Sequence, residues 1–150
     1  MANRRKSVSN VDFHYIEHVS DAMAEAYGRT LSEVFANSAK ALVNIVCDLS
    51  KIHPNKSVIV ETEGFDQISL LYNWLEKVLL TLMVDNIALA NFEVTIERSR
   101  DKYRLTSMCR GEAFSEQKHH YKVEVKAITY HEMKIFKRND MFIVQFIVDL

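Results

Sequence analysis

The chain has 150 residues, 48% hydrophobic and 26% charged, which suits one ordinary globular domain and excludes a disordered tail. Nineteen Lys+Arg against twenty Asp+Glu leave a net charge of −1, so no global field holds a nucleic-acid backbone, and strong direct RNA or DNA binding would need a local patch. Three glycines, none in a G-x-G-x-x-G or G-x-x-x-x-G-K-[ST] frame, exclude the two common nucleotide-cradling loops, and a single proline excludes Pro-rich linkers.

Residues 1–11 carry Arg4, Arg5 and Lys6 but no apolar run follows them, so they read as a disordered lead-in and not a signal peptide. Residues 12–18 alternate as a short strand, and residues 22–27 form a second that closes on Gly28. Thr30-x-x-Glu33 is a capping box, and Leu31, Val34, Phe35, Ala39, Leu42, Val43 and Val46 then stripe one helical face. This helix is expected to end near Leu49, before Pro54. Val58–Glu61 is a short strand. Asp66 is an N-cap flanked by a Phe65–Leu70 staple, and a second helix runs from Ile68 to about Met83 with Trp74 near its apolar margin. The second half turns to strands at about 88–98, 102–110, 121–131, 133–137 and 141–149, with Arg100-Asp101 and Asn139-Asp140 as turns.

The expected fold is therefore a single α+β domain over residues 12–150, two amphipathic helices packed on a curved, mostly antiparallel sheet. The longest apolar stretch, 79–92, is broken by Asp85 and Asn86 and falls short of the ~18 residues of a membrane span. Cys47 and Cys109 are too few for a disulfide scaffold and lack C-x-x-C spacing; both read as packing residues of a cytoplasmic, reduced protein.

Few polar residues stand outside simple patterning. His18 and Asp21 sit at the junction of the first two strands, where Asp21 serves either an Asx-type turn or a site. The stretch 141–149 is apolar on both faces, as in a central strand, and it places Asp149 one residue from the α-carboxylate of Leu150. Two anions ~5 Å apart repel by ~3 kcal/mol at an effective dielectric near 20. Either both point to water or a cation joins them, and oxygen-rich, thiol-free surroundings suit Ca²⁺ or Mg²⁺. His119 and His120, as strand neighbours, point to opposite faces, which argues against a shared zinc ion. Lys126 falls on the polar face of its strand with Lys122 and Glu124, the pattern of a solvated charged face. Arg98, Arg100, Lys102 and Arg104 surround one hairpin turn but are diluted by Glu97 and Asp101, the pattern of a solvated loop. No nucleophile elbow is evident.

Specific strings carry more. Glu17-His18-Val19-Ser20-Asp21, Ala26-Tyr27-Gly28 and Thr30-Leu31-Ser32-Glu33-Val34-Phe35-Ala36-Asn37-Ser38-Ala39 resemble the opening of the archease family, E-H-T-A-D, A-x-G and T-L-E-E-A-F-E-N-A-A. Leu70-Leu71-Tyr72-Asn73-Trp74-Leu75-Glu76 is similar to its L-L-x-x-W-L-x-x-L helix. Gly111-Glu112, Val125-Lys126-Ala127-Ile128-Thr129-Tyr130-His131 and the Val148-Asp149-Leu150 ending match further family strings, in order, over Asp12 to Leu150. Val19-Ser20 replaces the usual Thr-Ala, Leu150 replaces a commoner Ile, and His119-His120 stands where the family often has Arg-His.

The resemblance implies an accessory protein and not a self-sufficient enzyme: a partner of RtcB-type RNA ligases, which join tRNA halves after attaching GMP from GTP to a ligase histidine in a metal-dependent step. It implies a divalent-cation site at Asp21, Asp149 and Leu150, with Ca²⁺ foremost and Mg²⁺ or Mn²⁺ also accommodated, and a role for Lys126 in ligase activation. GTP and tRNA halves would be met only through the ligase, with no membrane partner. The contrasting expectation is a general chaperone-like binding module with no role for metal.

Overall fold

The computed structural model describes residues 20–150, so the expected lead-in and the strand at 12–18, with His18, lie outside the described residues. Strand β1 (Asp21–Gly28) leads into helix α1 (Leu31–Val46). A 3-10 turn at Leu49–Lys51 precedes β2 (Lys56–Gly64) and helix α2 (Gln67–Met83). Then come β3 (Ile87–Arg98), β4 (Tyr103–Ala113), the two-residue β5 (Ala127–Ile128), β6 (Lys134–Arg138) and β7 (Met141–Asp149). The α+β class is as expected, but the curved sheet is two antiparallel sheets. In one, β7 is central, paired with β1 on one side and with β5 and β6 in succession on the other; the second has the order β2-β4-β3. None of the described helices is long and apolar enough to cross a membrane.

Local chemistry explains the helix limits. Thr30 Oγ1 accepts the Glu33 N–H at 3.0 Å, while the Glu33 carboxylate reaches past the cap to the N–H of Arg29. At α2 the box is complete: Asp66 accepts the Ser69 N–H at 2.7 Å, and Ser69 Oγ accepts the Asp66 N–H at 3.1 Å. The expected staple does not form, since Phe65 is 77% exposed. Helix α1 stops at Val46, three residues early, because the Lys122 N–H takes the Val46 carbonyl at 2.8 Å and Asp48 caps the 3-10 turn by accepting from the Ser50 N–H.

The strand expected at 121–131 is irregular except at Ala127–Ile128. Its backbone is tied down at separate points and not by a continuous ladder, from Lys122 to the end of α1 and from Lys126 and Thr129 to Asp149 and Ile147. Positive φ at His120 and Glu132 bends the chain at both ends of the segment.

Helix α1 packs on β1 and β3, and so spans both sheets, while α2 packs on β2 and β3 and against α1. Trp74 is not marginal but fully buried between them: its indole N–H donates to the Phe35 carbonyl at 2.9 Å and its ring meets Phe92 edge-on at 5.9 Å. Trp74→Ala opens a cavity at this junction and orphans a buried carbonyl; urea unfolding should show a loss of about 3–5 kcal/mol.

Candidate functional site

Antiparallel pairing of β1 with β7 brings opposite ends of the chain together. Asp21 lies directly across from Asp149, and the register continues without a break to Gly28 against Phe142. Beyond the ladder, the Leu150 N–H donates to the Ser20 carbonyl at 2.9 Å. That bond makes Ser20–Leu150 a hydrogen-bonded pair and the neighbouring Asp21–Asp149 a non-hydrogen-bonded one, in which side chains share a face and Cα atoms stand only about 4.5 Å apart. Both aspartates are exposed, and Leu150 is half-buried. On the other side of β7, Ala127 pairs with Asp149, and the Lys126 N–H donates to the Asp149 carbonyl at 2.8 Å.

Asp21, Asp149, Leu150 and Lys126 thus meet at one strand end. Among the described residues none of these three charged side chains forms an ion pair. Among the described residues, no cluster of three or more His, Cys, Asp or Glu side chains is arranged there to hold a metal ion. A cation at this edge would rest on two carboxylates plus main-chain or terminal oxygens. That donor set fits Ca²⁺ or Mg²⁺, since both cysteines are buried elsewhere.

His119 is not on a strand but in the turn after β4, fully buried. The Ser115 N–H donates to its Nδ1 at 3.0 Å, which places the ring proton on Nε2, facing Glu112 Oε2 at 2.7 Å. Glu112 also accepts the His53 N–H and the Lys118 ammonium. Sequence spacing gave no sign of this pair, although both residues lie in or beside strings that carry the family resemblance. In the basic hairpin, Lys102 and Arg104 both pair with Glu63, at 3.2 and 2.6 Å, and the Arg98 guanidinium lies over the Tyr103 ring. Two of its four cations thereby share one exposed carboxylate, in keeping with a solvated loop.

The fold and this acidic strand end define a small α+β protein built around a β1–β7 pair that closes at its carboxylates. Residues 13–150 match the model of the Archease protein family, and the chain belongs to that family. It is 32% identical to protein archease of Methanopyrus kandleri, over 90% of this chain and 96% of that one. It is 41% identical to protein archease of Pyrococcus abyssi, over 85% and 89% respectively. The solution structure of Methanobacterium thermoautotrophicum protein 1598 superposes with a TM-score of 0.76 at 34% identity, covering 90% of this chain and 96% of that chain. The crystal structure of an archease, possible chaperone, from Thermotoga maritima shares the fold with a TM-score of 0.50 at 17% identity, over 92% and 97%.

The His119 hydrogen bond, the His53 N–H and the Lys118 ammonium, in that order, pull the Glu112 carboxyl down to about 2. A carboxyl held low in the folded state contributes stability that is present above its unfolded value near 4.5 and is lost as pH falls through about 2. Glu112→Gln should therefore lower the denaturation midpoint at pH 7. The gap between parent and variant should close as the measurement is carried from pH 5 to pH 2.

Proposed function

We propose that this family member is an accessory activator of an RtcB-type RNA ligase in tRNA splicing. It promotes metal-dependent guanylylation of the ligase histidine by GTP, and repeated turnover, as a non-catalytic cofactor. What supports the reading is family membership together with one observation, the pairing of Asp21 with Asp149 at the strand end beside Leu150. Asp21, Asp149 and a carboxylate at Leu150 would hold the divalent cation, Ca²⁺ by preference, with Mg²⁺ and Mn²⁺ accepted by the same oxygens. The bound ion supplies positive charge for phosphate oxygens.

The chain's own residues then have distinct tasks. The two aspartates fix the acidic edge on rigid strands, and Lys126, anchored through its N–H to Asp149, offers its ammonium to phosphate or to ligase carboxylates. No nucleophile of this chain is required, because the covalent step is made on the ligase. Contact with GTP and tRNA halves is indirect, through the ligase, and the setting is the cytoplasm.

The test follows guanylylation of the ligase from the same host in GTP and Mn²⁺. Asp21→Asn and Asp149→Asn should fold as the parent does and each lose about tenfold or more of the stimulation, a deficit of ~1.4 kcal/mol. Lys126→Ala should weaken stimulation, as should a peptide extension that turns the Leu150 carboxylate into an amide. Full stimulation by both aspartate variants would discard the metal edge and favour the chaperone-like module.

A second measurement needs no ligase. An ion that binds only the folded state raises its stability by about 2.7 kcal/mol at a hundred times its Kd. Millimolar Ca²⁺ should accordingly raise the melting temperature of the parent and leave both aspartate variants unmoved.

A further inference from the structure

Away from the β1–β7 edge, the C-terminal end of α2 and the loop after β4 frame an open cleft of about 370 Å³, lined by Leu82, Met83, Asn86, Phe114, Glu116 and Tyr121. Several features of its wall favour the same sign of charge in an occupant. Phe114 and Tyr121 stand 6.2 Å apart at 73°, forming an aromatic corner, and aromatic faces attract cations within about 6 Å. Phe114 also stacks on the buried His119 ring at 5.7 Å, which holds the corner rigid. Helix α2 carries no basic residue in its last turn, so its own side chains leave the partial negative charge of the carbonyl end unanswered.

The acids around the cleft are likewise unanswered. Partial burial and the nearby carboxylates of Glu124 and Glu116 raise the Tyr121 hydroxyl above its ordinary value, so both acids act on this ring. Among the described residues neither glutamate forms an ion pair. The neighbouring lysines are engaged elsewhere: the Lys118 ammonium donates to Glu112, and that of Lys122 to the Asn44 carbonyl, each at 2.8 Å. At the same helix end, Leu80, one turn before Met83, and Val84, the C-cap residue one turn after Leu80, are 48% and 66% exposed. A small cation from solution would leave that apolar rim wet, whereas a polypeptide would cover it.

We propose that this cleft binds an arginine side chain presented by an apolar segment of a partner protein. Arginine suits it better than lysine, because a planar, weakly hydrated guanidinium stacks on an aromatic ring while pairing with a carboxylate. The apolar neighbours of that arginine would lie on Leu80 and Val84.

The test is an NMR titration of ¹⁵N-labelled full chain with acetyl-Leu-Arg-Leu-amide and with its citrulline analogue, which keeps the shape and removes the charge. The arginine peptide should move the amides of Asn86, Phe114, Glu116 and Tyr121, and the citrulline peptide should bind about tenfold more weakly. Glu116→Gln and Tyr121→Leu should each weaken binding several-fold, while Tyr121→Phe, which keeps the ring, should retain it. Equal binding of the two peptides, indifference to Glu116→Gln, or no localised shifts at millimolar peptide would overturn the proposal. So would movement of the same amides on dilution without peptide, which would make the cleft a contact between two copies of this chain.

Discussion

The register of β1 on β7 is the constraint from which the candidate site follows. Ala22, Ala24 and Ala26 face Val148, Phe146 and Val144, small residues against large ones on the inner side, and those three residues of β7 are fully buried. A slip of one residue would turn every side chain of the strand to the other face and carry Asp149 into the core. A slip of two would keep the faces and again set bulky residues against the alanines, but it would place Asp21 opposite Ile147 and part the two carboxylates. The alternation of inner and outer faces along the strands therefore fixes the face on which the two carboxylates meet at their end.

A second node holds the irregular segment that leads to Lys126. Buried His119 joins the end of β4, through Glu112, to the end of α1, where its carbonyl accepts the Asp48 N–H at 2.8 Å. Glu112 in turn takes the His53 N–H, so one carboxylate ties the end of β4 and the turn after it to a segment 59 residues away in sequence. A buried imidazole with both nitrogens engaged is satisfied and geometrically demanding, so it can specify the path of a loop with little regular structure. From that node the chain passes Lys122, bonded to Val46, and reaches Lys126, bonded to Asp149. Only then does it become strand.

How legible this was depended on whether the decisive partner was local. The helices were readable because their signals lie within a few residues: Thr30 with Glu33, Asp66 at its cap, and apolar spacing of three and four. The central position of β7 was readable from its two apolar faces. Trp74 was placed at a margin because its hydrogen-bond partner, Phe35, lies 39 residues away and on another helix. The segment 121–131 alternates like a strand, yet its backbone partners come from a helix end and one strand end, which no periodicity reports. Asp21 and Asp149 were each visible as unusual, but only the family strings linked them. Nothing in the spacing of Glu112 and His119 announced their bond.

The position of the acidic pair also has a physical rationale. Like charges directly opposite on a sheet cost stability, and the cost would be greatest in the middle of a ladder, walled in by neighbours. At the last pair of β1 and β7, both carboxylates face solvent, which screens them, while the ladder behind them sets their spacing. The same placement makes them approachable from outside by a surface as large as another protein. Lys126 is held in a matching way, its backbone fixed to Asp149 and its side chain exposed. Rigid main chain beneath unpaired surface charge is an arrangement suited to meeting charge on a partner, because the ordering cost is met when this chain folds and not when it binds.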